Sequence, residues 1–177
     1  MKLNLGCGDR PLKGYINIDN RPGVGDVNED VFTLPSFSPQ SVEEIAASHV
    51  LEHASYDRTH AVLQRWHELL VPGGILHVAV PDFDKVLIKF HPGYLTGEIT
   101  WEYFNSRIFG NSDIAQLMYG PHPSQYEQAF HKAVFTGDML IACLERAGFL
   151  NPRVTQTFPG RKVVGKEVCV QAVKKLT

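Results

Sequence analysis

Cysteine is scarce in this chain: Cys7, Cys143 and Cys169 are its only three. They stand far apart, form no C-x-x-C and leave an odd count. That excludes a disulfide framework and predicts reduced thiols in a cytoplasmic setting. No apolar run approaches the roughly 20 residues of a membrane span. One lysine followed directly by an apolar strand leaves no room for a signal peptide. Excess positive charge is missing too: 17 Lys and Arg stand against 19 Asp and Glu, for a formal net charge of −2. Without an overall basic surface, nucleic acid is disfavoured as a substrate. Arg10 with Lys13, and Arg161 with Lys162 and Lys166, are local clusters that read as solvated surface. Repeats, low-complexity tracts and linkers are absent. The 177 residues, 44% hydrophobic and 20% charged, have the composition of one globular domain, 1–177, with its own core.

Two phosphate-binding patterns are also missing. G-x-G-x-x-G fails because position 11 is proline and Gly14 does not fit the spacing, and G-x-x-x-x-G-K-[ST] does not occur, so neither pyrophosphate nor triphosphate cradling is indicated. What is present is an apolar strand, Leu3-Asn4-Leu5, running straight into Gly6-Cys7-Gly8, with the acid Asp19 closing a second short strand. Glycines let backbone approach a ligand where a side chain would collide. A carboxylate at the end of the next strand accepts hydrogen bonds from two ribose hydroxyls. A nucleoside site without a phosphate cradle suits S-adenosylmethionine, whose tail is a sulfonium and an amino acid.

Periodicity supplies the frame. Glu44 to Ser48 reads as a third motif-bearing strand, while Val62, Leu63, Trp66, Leu69 and Leu70 recur at helical spacing over 56–70, with Arg58, Gln64, Arg65 and Glu68 off that face. Val71-Pro72-Gly73-Gly74 is expected to stop that helix. Ile75 to Val80 reads as a strand buried on both faces. From about 91 to 130, proline, glycine and aromatic residues follow no period; an irregular insertion over about 91–133, a lid or substrate wall, is expected there. Thr136 to Ala147 is amphipathic and stops at Gly148. Arg153–Phe158 and Lys166–Val173, separated by Pro159-Gly160, form a plausible terminal hairpin. Strands alternating with helices predict an α/β fold with a doubly wound, mostly parallel sheet.

Leu3 to Gly8, Asn17-Ile18-Asp19, Ser48-His49-Val50-Leu51-Glu52-His53 and Leu70-Val71-Pro72-Gly73-Gly74 resemble successive motifs of class I S-adenosylmethionine-dependent methyltransferases. The likeness is to small predicted members associated with bacterial polysaccharide biosynthesis and sometimes found in phages. It covers about the first half of the chain, in family order. It implies a Rossmann-like methyltransferase fold of seven strands, the last antiparallel. It also implies methyl transfer to an oxygen or nitrogen of a small-molecule or saccharide acceptor, releasing S-adenosylhomocysteine. Two features depart from the pattern. Gly8 to Asp19 spans 11 positions and contains Pro11 and Gly14, too few for the usual crossover helix. The N-terminal helices that commonly cover the cofactor are missing. These departures motivate a homodimer, whose partner would supply the cover, and an alternative function as a non-catalytic S-adenosylmethionine- or S-adenosylhomocysteine-binding module.

By the same resemblance, Leu5, Gly6, Cys7 and Gly8 approach the methionine part of the cofactor, with Asp9 and Arg10 near its amino acid group. Asp19 takes the ribose diol, with Asn20 beside the adenine. Asp30 accepts from the adenine amino group and the Val31 amide donates to a ring nitrogen; Asp26 is an alternative to Asp30. Ser48 and His49 line the methyl-transfer end. A base is needed only when the acceptor must lose a proton, and histidine suits that task at neutral pH. His49 is the first candidate, followed by His53, His131 and Asp82; Asp82, after Pro81, is equally a helix cap. His49-x-x-Glu52-His53 also matches an inverted zinc-peptidase pattern, but no third ligand follows from spacing. Some methyltransferases acting on hydroxyls hold a divalent cation through Glu-x-x-Glu-His at this place. Here His49 replaces the first glutamate, so no metal is assigned, although His131 would complete a set with Glu52 and His53. The aromatics Phe90, Tyr94, Trp101, Tyr103, Phe104, Phe109, Tyr119, Tyr126 and Phe130 read mainly as core or dimer contacts, a few of them able to stack on an acceptor.

Overall fold

The computed structural model describes residues 1–110 and 129–176. Tyr119 and Tyr126, and the part of the expected insertion over 111–128, lie outside the described residues. β1 (Lys2–Leu5), β2 (Ile16–Asp19), β3 (Val27–Asn28), β4 (Val42–Ser48), β5 (Leu70–Pro81), β6 (Phe149–Thr155) and β9 (Glu167–Lys174) form one seven-stranded sheet in the order β3-β2-β1-β4-β5-β9-β6. β1 pairs in parallel with both β2 and β4, β4 with β5, and β2 with β3; β9 runs antiparallel to β5 and β6. This is the α/β, mostly parallel sheet expected, with its final strand reversed.

Alternation along the strands divides the sheet into two faces. Leu3, Leu5, Ile18, Ile45, Ala47, Leu76, Val78, Val168 and Val170 meet the apolar faces of α1 (Thr59–Leu69) and α4 (Gly137–Arg146) in the main core. On the other face, Ala46, Ala79 and Cys169 are covered by Phe158, Leu12, Tyr15 and Val163. Those covering residues come from the loop after β1 and from a small hairpin, β7 (Thr157–Phe158) and β8 (Arg161–Lys162).

No helix joins β1 to β2, as the spacing predicts, and two buried asparagines take over its work. Asn4 Nδ2 donates to Arg10 O at 3.2 Å and to Asn17 Oδ1 at 2.9 Å; the same Oδ1 accepts from the Leu12 amide at 2.7 Å. Asn17 Nδ2 reaches the carbonyls of Leu12 and Tyr15. A loop laid against a sheet must satisfy its own backbone groups, and these side chains do so at the rim of the future site.

α1 holds the loop after β3 in place. Trp66 Nε1 donates to Val31 O at 2.9 Å, and Arg65, off the apolar face, donates to the carbonyls of Thr33, Leu34 and Phe37 at 2.8, 3.0 and 2.8 Å. Arg65→Ala should cost about 1–3 kcal/mol, because charge-assisted bonds to carbonyls are lost on a partly exposed surface. Faster amide hydrogen exchange confined to 33–37 would report it.

Three expectations need correction. The helix over 56–70 starts at Thr59, and Val71–Gly74 do not stop it. Leu70 turns extended (φ −67, ψ 141) and opens β5 directly. Gly73, at φ 77, lies in the irregularity where Val42 pairs Leu70 but Glu44 already pairs Ile75. Second, α2 (Phe83–Leu95), with Pro92 inside it, runs into the region read as irregular from about 91, and α3 (Trp101–Phe109) lies within that region. They pack through Tyr94 stacked on Phe104 at 5.1 Å and Phe90 edge-on to Tyr103 at 6.1 Å. Breaker residues hid a pairing that aromatic contacts supply. Third, β6 and β9 do pair antiparallel, but Pro159-Gly160 turns the β7–β8 hairpin inserted between them. No helix among the described residues is long and apolar enough to cross a membrane.

Candidate functional site

In an open α/β sheet, a crevice forms at the carboxyl ends of the strands where the strand order reverses. Here that point falls between β1 and β4, and a cavity of about 1030 Å³ occupies it. Gly6 to Leu12 follow β1, Asp19 to Arg21 close β2, Asp30 to Phe32 follow β3 and Ser48 to Val50 follow β4, with His53 beyond; all line the cavity. Phe158 to Arg161 of the small hairpin form the opposite wall, and Lys132 also contributes.

Of the residues picked from sequence, Gly6, Cys7, Gly8, Asp19, Asn20, Asp30, Val31, Ser48, His49 and His53 therefore meet around one space. Leu5 does not: alternation turns its side chain into the helix-covered core. Asp82 does not either. It precedes α2 as its cap residue and pairs with Lys85 at 3.1 Å. His131 lies behind the cavity wall beside Glu52, in a separate small cleft. Asp26, the alternative to Asp30, is spent on structure, accepting from the Asn17 amide at 2.8 Å and from Asn17 Nδ2 at 3.0 Å.

The glycine turn is sterically required. Gly6 has φ 60, and a Cβ there would stand 2.5 Å from Val50 Cγ2. Gly6→Ala should thus combine a disfavoured backbone with a collision, destabilising by about 2 kcal/mol or more; a thermal melt that matches the parent would contradict this.

Asp19 is 5% exposed, and its carboxylate is already engaged. Oδ2 accepts from the Gly8 amide at 2.9 Å, while Oδ1 accepts from the Arg21 amide and Arg21 Nε, both at 3.0 Å. Burial by itself would raise its pKa; the Arg21 and Gly8 donors outweigh that and hold it below the ordinary value. Arg21 was not singled out from sequence, although it stands two residues beyond Asp19 in the same turn.

His49 opens the turn after β4 in a left-handed conformation, φ 55, its amide donating to Ala79 O at 2.8 Å. This geometry is uncommon for a residue with a side chain and costs about 1 kcal/mol or more. It sets the imidazole between two carboxylates: Nδ1 is 3.2 Å from Glu52 Oε1 and Nε2 is 3.4 Å from Glu167 Oε2. Burial would lower the His49 pKa, but Glu52 and Glu167 outweigh it and hold it above the ordinary value. Arg161 is no solvated surface residue. It forms an ion pair with Glu167, at 2.7 Å through Nη2, and reaches Ser48 Oγ at 3.0 Å. Glu167, likewise unmarked in sequence, is drawn below the usual carboxylate range by Arg161 against the opposing effect of burial. His53 bonds through Nδ1 to Phe130 O at 3.2 Å, and burial lowers its pKa.

No protein-family model matches the chain, and no curated protein matches it. Solved structures do. It is similar to an S-adenosylmethionine-dependent methyltransferase of Archaeoglobus fulgidus (15% identity, TM-score 0.60, covering 98% of this chain and 85% of that one). It is similar as well to one from Methanosarcina mazei (18%, 0.57, 99% and 92%). A third, from Thermotoga maritima, is described as a possible histamine N-methyltransferase (16%, 0.59, 98% and 81%). At these identities the likeness establishes the fold: a Rossmann-like methyltransferase fold.

Proposed function

We propose that the chain is a methyltransferase that binds S-adenosylmethionine in the cavity at the β1–β4 reversal and passes its methyl group to an oxygen or nitrogen of a small-molecule or saccharide acceptor. One observation carries this reading. A glycine turn that excludes side chains and a buried carboxylate from the neighbouring strand meet on the wall of one crevice. In this reading Asp19 takes the ribose hydroxyls, which requires the Arg21 side chain to leave Oδ1. Asn20, Asp30 and the Val31 amide face the adenine, and the Gly6–Gly8 backbone follows the methionine part.

The methyl carbon leaves the sulfonium sulfur as the acceptor's lone pair attacks from the opposite side. The S–C bond breaks, the new bond forms to oxygen or nitrogen, and neutral S-adenosylhomocysteine departs. Much of the rate in such a displacement comes from alignment. Where the acceptor has a proton to lose, His49 receives it on a ring nitrogen, and Glu52 and Glu167 stabilise the resulting imidazolium.

Calorimetric titration with S-adenosylhomocysteine tests the binding half: saturable binding is expected, and none at millimolar concentration rejects the reading. Methyl transfer to a panel of saccharides and small amines tests the other half. Tight binding with persistent inactivity would instead favour a cofactor-binding module.

A further inference from the structure

We infer that the methyl acceptor carries an anionic group, a carboxylate or a phosphate, and that Lys132 binds that group. The inference rests on the methyl-transfer reading above and adds to it the acceptor's charge and the side chain that anchors it.

The first argument is the way charge is divided along the cavity. The carboxylates that line it, Asp9, Asp19 and Asp30, all follow β1, β2 and β3, at the end assigned to the cofactor. Arg10 and Arg21 line that end too and offset them. The opposite end is built by the loop after β4, the segment before α4 and the β7–β8 hairpin. It presents His49, His53, Lys132 and Arg161, and no carboxylate among the described residues. Glu52 and Glu167, 1% and 5% exposed, stand behind these heads and do not line the cavity. One sign of charge gathered on a cleft wall draws in solutes of the other sign.

The second argument singles out Lys132. Glu167 pairs with Arg161 and shares His49 with Glu52. Burial holds the His53 pKa below its ordinary value, so that ring is neutral at pH 7. Lys132 is exposed, and its ammonium has no partner among the described residues. Its backbone, in contrast, is fixed. The Lys132 amide donates to Glu52 O at 2.7 Å, the Ala133 amide to the same oxygen at 3.1 Å, and the His131 amide to Phe109 O at 3.0 Å. The stem therefore starts from a set point on the wall that also carries His49 and His53. An ammonium offers three donors on a flexible stem, which suits oxygen anions of either shape.

The third argument is that positive charge continues beyond Glu167. Lys166 Nζ lies 4.1 Å from the centroid of the Phe90 ring, and Lys89 Nζ lies 5.7 Å from the same centroid. Arg107 Cζ lies 4.7 Å from the centroid of Tyr103, the ring that packs edge-on to Phe90. None of these three cations has a carboxylate partner among the described residues. Burial lowers the Lys166 pKa, and the charges of Lys89 and Arg107 lower it further. In a chain with a formal net charge of −2, such crowding is not a by-product of composition. An incoming anion relieves it, and the cluster steers anions towards the acceptor end.

The test uses the full chain, first titrated with S-adenosylhomocysteine and then, saturated with it, titrated at constant ionic strength with glucuronate, glucose 6-phosphate and glucose. At least one of the two anionic sugars should bind saturably, with glucose at least tenfold weaker; which of them binds tells carboxylate from phosphate. Lys132→Gln should weaken that anion about tenfold or more and leave S-adenosylhomocysteine affinity within about twofold of the parent. Lys13→Gln, exposed and outside the cavity, should alter neither. Indifference to both anions in the cofactor-saturated chain overturns the inference and leaves the methyl-transfer reading standing. Equal binding of glucose, or unaltered anion affinity in Lys132→Gln, also overturns it. So does an equal loss of S-adenosylhomocysteine in that variant, which would assign the lysine to the cofactor's own carboxylate. Failure of the parent to bind S-adenosylhomocysteine removes the methyl-transfer reading, and this inference with it.

Discussion

Asp19→Ala should reduce S-adenosylhomocysteine affinity by a hundredfold or more, the largest binding effect expected of any single change in the cavity. Two charge-assisted hydrogen bonds to a ribose diol are worth about 1.5–3 kcal/mol each, and each 1.4 kcal/mol is about tenfold in affinity. The same substitution leaves the Arg21 guanidinium, 17% exposed, without the carboxylate it now grips. Stability should therefore fall too, and the pH dependence of that loss has a defined sign. Because the folded pKa of Asp19 lies below its ordinary 3.8, its stabilising contribution is complete at pH values above the unfolded pKa. It disappears as pH falls through the folded value. Urea denaturation of parent and variant should show a gap at pH 7 that closes on acidification and does not change on raising the pH to 9. A gap that widens in acid would contradict the ion pair.

Trp66→Ala should have the largest effect on stability, about 3–5 kcal/mol, the range for removing a large buried aromatic. Trp66 is fully buried, and its Nε1–H satisfies the Val31 carbonyl. The loss approaches the whole stability of many domains, about 5–15 kcal/mol. Trp66→Phe separates two consequences of that loss. It keeps most of the apolar contact but orphans Val31 O, at about 1–3 kcal/mol. It should thus remain folded while loosening the Asp30–Phe32 rim, and so weaken S-adenosylhomocysteine more than its melting temperature would suggest. Equal binding by Trp66→Phe and parent would show that the rim is held by other contacts, Arg65 foremost.

How far these features could be read from sequence follows how local their causes are. The strands that carry Gly6, Asp19 and Ser48 announce themselves as short apolar runs ending at the residues that line the cavity. α1 and α4 show helical spacing because each has a single core face. The missing crossover helix was legible too, since Pro11 and Gly14 leave it no room. α2 and α3 were not, because their stability comes from aromatic contacts between them, and Pro92 interrupts any local pattern. Glu167 and Arg161 escaped for a related reason. Each is an ordinary charged residue in its own neighbourhood, and only β-strand pairing brings them to Ser48 and His49, more than a hundred positions away. Asp82 stayed open between two readings because a carboxylate after a strand-ending proline serves a helix start as readily as a site, and the fold puts it at the helix start.

The left-handed backbone of His49 has a consequence for anyone dissecting the cavity by mutagenesis. An alanine scan would remove the imidazole but keep a Cβ in a conformation it disfavours, mixing lost chemistry with unrelieved torsional cost. Glycine deletes the same ring and accepts that torsion freely. His49→Gly should accordingly be the more stable of the two variants, by about 1 kcal/mol, and the cleaner measure of what the ring itself does.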